Sequence, residues 1–242
     1  MSRTAAALLR AWESGAAAAP LDRAPSLLHS LGAIASSVQT SELTVGQCDA
    51  RLFELRRTIF GERLEAIARC SACQTDVELT ITLSALQPPI RDGSAAPVTV
   101  RADGYSVLCR IPSNEDLRVL AAREGAVTLR DLLGRCAIEA SSPTGQPVQP
   151  DELPDAVVEA AVTALAESDP GAQTALRVRC PCGSEWVSEL DIRAVLWSDL
   201  TDWVGRTLTE VHQLARSYGW SEAEILTMSG WRRRWYLEAA GW

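Results

Sequence analysis

The chain has 242 residues, 47% of them hydrophobic, a formal net charge of −8 at pH 7, and 23 basic residues without a single lysine. That length and composition suffice for one large domain or two small ones with a real core, and no apolar run of about 18 residues is present to span a membrane. The lack of lysine excludes a phosphate-loop lysine, a Schiff-base lysine and a Ser–Lys dyad; the acidic balance argues against sequence-independent nucleic-acid binding, which rests on neutralising phosphates.

In chain order, residues 1–62 read as helices. The alanine-rich stretch from Thr4 to Pro20 carries Trp12 and Glu13 within its apolar part. It lacks a signal-peptide core, so it is expected as a helix over 3–14, in a cytoplasmic protein. A second helix is expected from Asp22 to Ser36, with Leu27, Leu28, Leu31 and Ile34 on one stripe. A third starts at Thr44-Val-Gly-Gln, places Ala50, Phe53, Leu55, Ile59 and Phe60 near helical period, and stops at Gly61. Its Arg51, Arg56 and Arg57 are expected in solvent.

Residues 63–190 change to strands. A first hairpin runs from Leu64 to Leu83, followed by a loop with Pro88-Pro89 and Asp92-Gly93. A second pair of strands, Val98 to Arg101 and Tyr105 to Ile111, is joined by an Ala102-Asp103-Gly104 turn. Ser113 caps a helix over Glu115 to Arg123, and Thr128 caps another with Leu129, Leu132, Leu133 and Cys136 on its apolar face. Residues 141–150 read as a loop, Leu153 to Ser168 as a helix, and a last hairpin surrounds Cys180. Residues 191–242 form a helical tail. Its long helix, Asp191 to Tyr218, has Ile192, Leu196, Leu200, Trp203, Val204, Leu208, Val211 and Leu214 spaced mostly by three or four. Gly219 ends it, Ser221-Glu-Ala-Glu224 is a capping-box pattern, and Trp231 to Ala240 closes the tail. The fold class is therefore α+β: a small zinc-ribbon-like β domain with a helical insert, flanked by N-terminal helices and a helical tail.

The chemistry lies in two cysteine pairs. Arg69-Cys70-Ser-Ala-Cys73 and Arg179-Cys180-Pro-Cys182-Gly183 each sit at a sharp turn between short strands. Four thiolates on two hairpins suit a tetrahedral zinc site that ties together segments about a hundred residues apart, where a clip gains most from loop entropy. The second pair is one residue short of the usual knuckle, so its chelate ring is tighter, and Gly183 fits the need for a positive φ after it. A secreted disulfide framework does not suit an odd total of seven cysteines. Reduced structural cysteines and redox use are the competing readings, although a thioredoxin-type CxxC should open a helix within a βαβ unit. Cys48, Cys109 and Cys136 stand singly in apolar contexts, as small core residues. With four thiolates the zinc shell is closed, so the metal is expected to be structural. His29 and His212 lie far from both pairs in sequence, and no GxSxG, HExxH, GxGxxG or EF-hand pattern occurs. The chain reads as a non-enzyme.

Seven of the eight tryptophans lie at or beyond Trp186, and tryptophan is enriched in interface hot spots. Trp197, Trp203 and Trp220 suit either a core or a surface role, whereas Trp231, Trp235 and Trp242 lean towards an interface. Arg232-Arg233-Arg234 among them is either a charged helix face, a grip on an acidic partner, or a stacking-and-phosphate grip on nucleic acid.

The run Leu214-Ala-Arg-Ser-Tyr-Gly-Trp220-Ser-Glu-Ala-Glu-Ile225-Leu-Thr-Met228-Ser-Gly-Trp231-Arg-Arg-Arg-Trp235-Tyr236-Leu resembles the C-terminal signature of the T4-like phage baseplate hub and hub-assembly chaperone family, as found in contractile injection system gene clusters. The paired knuckles, the Arg-Arg-Thr-Ile-Phe-Gly61 helix end and Ala194-Val-Leu-Trp197 extend the likeness over most of the chain. Relatives carry a Cys-Pro-x-Cys-Gly second knuckle, from which Cys180-Pro-Cys182-Gly183 departs. The resemblance implies a non-enzymatic baseplate or hub component, or a chaperone of the hub, spike or tape-measure protein. Trp220, Ile225, Met228, Trp231, Arg232, Arg233, Arg234, Trp235 and Tyr236 would be its partner-binding residues. The alternative is a zinc-ribbon nucleic-acid-binding regulator.

Overall fold

The computed structural model describes residues 4–34, 42–86 and 95–242 and is mixed α+β, with three small antiparallel sheets among them. The loop expected around Pro88-Pro89 and Asp92-Gly93, and the end of the second expected helix, lie outside the described residues. The chain divides into two units, residues 1–35 with 193–242, and residues 36–192. The sequence pattern alone places the boundaries at 62/63 and 190/191. In the structure the third helix groups with the strands, and the first two helices group with the tail.

Among the described residues the regular elements of the first unit are helices: α1 (Ala5–Ala16), α2 (Pro20–Ser30), α7 (Ile192–Tyr218), α8 (Glu222–Thr227) and α9 (Gly230–Ala239). Leu8, Leu9, Leu27, Leu28 and Leu31 from the N-terminal pair are buried, as are Leu196, Leu200, Val204, Val211 and Leu214 along α7. What joins the N-terminal helices to α7 is Trp197. Its ring stacks on Trp12 at 6.4 Å and lies 4.7 Å below the Arg23 guanidinium, while Trp12 Nε1 donates to Thr201 Oγ1 at 3.1 Å. A Cβ on Gly15 would stand 2.6 Å from the Trp197 ring, so only glycine lets helix and indole meet. Trp197 is thus a packing residue.

The second unit begins with α3 (Val45–Phe60). Thr44 and Gln47 form a capping box, and Gly46 N–H donates to Asp169 Oδ2 at 2.8 Å. A Cβ on Gly46 would meet Asp169 Oδ1 at 2.2 Å and the Ala172 backbone nitrogen at 2.7 Å, which explains glycine so near a helix start. At the other end Arg56 is buried, not solvated as expected. Its guanidinium donates to the carbonyls of Gly61 (2.8 Å) and Arg63 (2.7 Å), and so fixes the turn from helix into strand.

Three sheets follow. β1 (Arg63–Arg69) pairs with β2 (Asp76–Thr82), and β6 (Ala175–Arg179) with β7 (Glu185–Glu189). Between them in sequence lies a three-stranded sheet of order β3 (Val98–Ala102), β4 (Tyr105–Cys109), β5 (Ala137–Ser141). Asp103 and Gly104 both have positive φ, 51° and 79°, as a two-residue hairpin turn requires. The strand β5 has no mark in the sequence, because Ala-Ile-Glu-Ala-Ser lacks the alternation that signals a strand. Val100, Val107 and Cys109 form a core with Leu133 and Cys136 of α5 (Leu129–Cys136) and with Val157, Val158, Ala161 and Leu165 of α6 (Asp155–Ser168). Cys48, Cys109 and Cys136 are all buried, as expected; burial pushes the Cys109 thiol up to about 11 and Cys136 to about 12.

One carboxylate organises the helix ends near β4. Asp116, third residue of α4 (Asn114–Ala121), is 1% exposed. It accepts from the Ser113 backbone N–H and hydroxyl, both 2.9 Å, from Arg110 Nη2 at 2.7 Å and from Arg135 Nε at 3.2 Å. Burial alone would raise its pKa, but the hydrogen bonds from Arg110 and Ser113 outweigh it and hold the carboxyl at about 2 rather than the usual 3.8. Asp116→Ala is expected to cost the second unit about 2–3 kcal/mol at neutral pH. Because the folded-state pKa is depressed, the wild-type contribution is complete above pH ~4 and is lost as pH falls through ~2. Denaturant melts of both proteins should therefore show a gap that closes in acid; a gap of constant size would contradict this role.

Candidate metal centre

The two hairpins deliver their cysteines by the same local device. Where β1 ends, Cys70 N–H donates to the Thr75 carbonyl at 3.0 Å and Gln74 N–H donates to the Cys70 carbonyl at 2.9 Å, with Gln74 at φ +60°. Where β6 ends, Cys180 N–H donates to the Ser184 carbonyl and Gly183 N–H to the Cys180 carbonyl, both 2.9 Å, with Gly183 at φ +91°. Each turn thus has a closing pair of backbone groups, an inner bond back to the first cysteine, and one left-handed residue. The missing residue of the CxC turn is taken out of the inner loop, which spans Cys180 to Gly183 instead of Cys70 to Gln74. The closing pair that sets the strand register survives.

The four sulfurs converge. The Sγ atoms of Cys70, Cys73, Cys180 and Cys182 all lie within 4.8 Å of one another, with 3.9 Å between Cys70 and Cys182 and 3.5 Å between Cys73 and Cys180. A tetrahedral shell at the usual zinc–thiolate length of about 2.3 Å has edges of about 3.8 Å, so these separations suit one ion bound by all four. The cluster can hold a metal ion. Cys70 and Cys180 are buried, while Cys73 and Cys182 face solvent, so a metal would enter from one side.

Electrostatics separates the thiols. Hydrogen bonds from the Thr75 side chain and backbone, then from the Cys180 and Cys182 thiols, bring Cys73 down to about 6. Backbone N–H groups of Cys73 and Ala72 lower Cys70 against its burial. For Cys180, the Cys182 N–H acts to lower the pKa, but burial and the neighbouring thiols prevail and push it up to about 12. A cation held by the four sulfurs would favour the thiolate at every position, because its positive charge stabilises the sulfur anion. Neither histidine belongs to the cluster.

The tail residues divide. Trp231 is 68% and Trp235 53% exposed, and Arg232 and Arg234 are also exposed. Trp220 and Tyr236 are half-buried within an aromatic cluster: Trp220 stacks on Tyr218 at 4.5 Å and meets Tyr236 edge-on at 4.9 Å. Met228 is half-buried. Two expected partner residues face inward. Ile225 is fully buried, and Arg233, 5% exposed, donates to Glu210 Oε2 at 2.7 Å and to the Met228 carbonyl at 2.8 Å. The triple arginine is therefore not one basic patch: its middle member locks α9 onto α7. Tyr218 and Glu210, which complete this arrangement, carry no signal in the sequence beyond their helical spacing.

The cluster should bind one thiophilic divalent ion per chain. Titration with cobalt should give the spectrum of a tetrahedral four-thiolate complex, and Cys70→Ser should abolish it, because the buried ligand has no substitute nearby. Two-to-one binding or an octahedral spectrum would contradict the geometry. Comparison of the chain with protein-family models, with curated proteins and with solved structures gives no match.

Proposed function

We propose that the protein is a non-enzymatic part of a contractile phage-tail-like injection system, either a baseplate or hub component or a chaperone of the hub, spike or tape-measure protein. In this reading Cys70, Cys73, Cys180 and Cys182 hold a structural zinc ion. Four thiolates fill its shell and leave no open position for substrate or water, so its work is to tie two hairpins whose cysteines lie 107 residues apart, Cys73 and Cys180. A two-stranded hairpin is marginal by itself in water, which gives such a tie a purpose.

The observation that carries the reading is the outward pair Trp231 and Trp235, on a helix whose opposite side is held down by Arg233 and Leu237. Large indoles left in water on an anchored helix are what a protein interface uses as hot spots. The resemblance of residues 214–237 to the hub and hub-chaperone signature supplies the class of partner. Among the described residues no helix is long and apolar enough to cross a membrane, which is compatible with assembly in an aqueous compartment.

Replacing Trp231 and Trp235 together by alanine should leave the melting temperature within a few degrees of wild type, since neither indole is enclosed. Affinity capture from the native host should then lose hub, spike or tape-measure proteins that the wild type recovers. Presence of the wild-type chain in finished particles would make it a component, and its absence a chaperone. Undiminished capture by the double variant would overturn the proposal.

A further inference from the structure

The outer face of α9 carries more than tryptophan. Trp231, Trp235 and Glu238 follow one another by four and then three residues, so they share a stripe opposite Arg233 and Leu237. Arg234 lies on the same flank of this stripe as Glu238, one turn earlier, and both are exposed. The face thus holds a cation and an anion one turn apart beside an aromatic seam, and past the helix end at Ala239 come Ala240, Gly241 and the exposed Trp242.

We infer that this face pairs with the same face of a second copy of the chain, the two helices antiparallel about a two-fold axis near the level of Tyr236. That symmetry places each Arg234 beside the other copy's Glu238, both on one flank of the seam, giving two equivalent ion pairs. On the other flank the two Trp235 indoles meet. Each Trp231 reaches the level of the other copy's Gly241, just past the end of the opposing helix and beside its exposed Trp242. A surface that carries both signs at one-turn spacing complements itself under two-fold symmetry, which is how an isologous interface works. Nucleic acid, an anionic membrane or a purely acidic peptide would match Arg232 and Arg234 but would meet Glu238 in the seam and a chain of net charge −8 behind it.

The area sets the strength. Trp231, Trp235 and Trp242 are 68%, 53% and 54% exposed. At about 250 Å² for a whole tryptophan, they offer roughly 400 Å² per copy and roughly 800 Å² for the pair. Stable complexes bury about 1,200 Å² or more, so the dimer is weak and reversible. The inference rests on the reading of α9 as a contact surface: a dimer this weak covers the face until a hub, spike or tape-measure protein displaces the second copy.

The test is a charge exchange read by sedimentation of the full chain with its metal bound, over a wide concentration range. Wild type should pass from monomer to dimer as concentration rises. Arg234→Glu alone and Glu238→Arg alone should each weaken the dimer at least tenfold, since each sets like charges together twice. The double exchange should restore it, with helicity and melting temperature unchanged throughout. Monomeric wild type at every concentration, or a double exchange no better than the singles, would overturn the inference. If wild type stays monomeric while Arg234→Glu abolishes capture of a particle protein, the face takes a different partner: the self-pairing fails and the assembly reading stands.

Discussion

Two turns that lie more than a hundred residues apart bring four sulfurs within 4.8 Å of one another, and the two hairpins that carry them are built around that convergence. Each turn is built so that the first cysteine is spoken for by the backbone: its N–H closes the hairpin and its carbonyl accepts an inner bond. The cysteine is therefore aimed by the strand pair and needs no help from its neighbours' side chains. The loss of one residue in the second turn shortens the inner loop while leaving the ladder from Ala175↔Glu189 to Arg179↔Glu185 in register. Closing a loop of this length is entropically expensive in an unfolded chain, so a tie at this place constrains the unfolded state more than a local one would.

Away from the sulfurs, a few buried charged groups do the orienting that apolar packing cannot. Apolar contacts are non-directional, whereas a guanidinium or carboxylate in the interior must find defined partners or bear a large desolvation cost. Arg56 takes the carbonyls on either side of the step from α3 into β1. Asp116 gathers Ser113, Arg110 and Arg135, and so fixes the start of α4 against the ends of β4 and α5. Arg233 does the same for α9 on α7 through Glu210. In each case a single side chain settles where one element stops and the next begins.

Glycine does the complementary work of removing obstacles. At Gly15 an indole, and at Gly46 a carboxylate and a backbone amide, occupy the space a methyl group would need. These close approaches join elements far apart in sequence, α1 to α7 in one unit and the start of α3 to Asp169 in the other.

Much of this protein is legible in its residues one element at a time. Capping residues at Thr44, Ser113, Thr128 and Ser221, glycine stops at Gly61 and Gly219, and the Asp103-Gly104 turn mark their elements because they act through the local backbone, where sequence neighbours are also spatial neighbours. The four clustered cysteines are legible for the same reason, as two turns with similar spacing. The strand β5 is not, since Ala137 to Ser141 is a strand only by virtue of β4 beside it. Nor is the burial of Arg56, Ile225 and Arg233: helical spacing shows which residues share a face, but a second helix or strand decides which face is covered. Local chemistry was set by the sequence alone; the choice of partners, which depends on complementary surfaces distant along the chain, was made only when the tertiary structure brought them together.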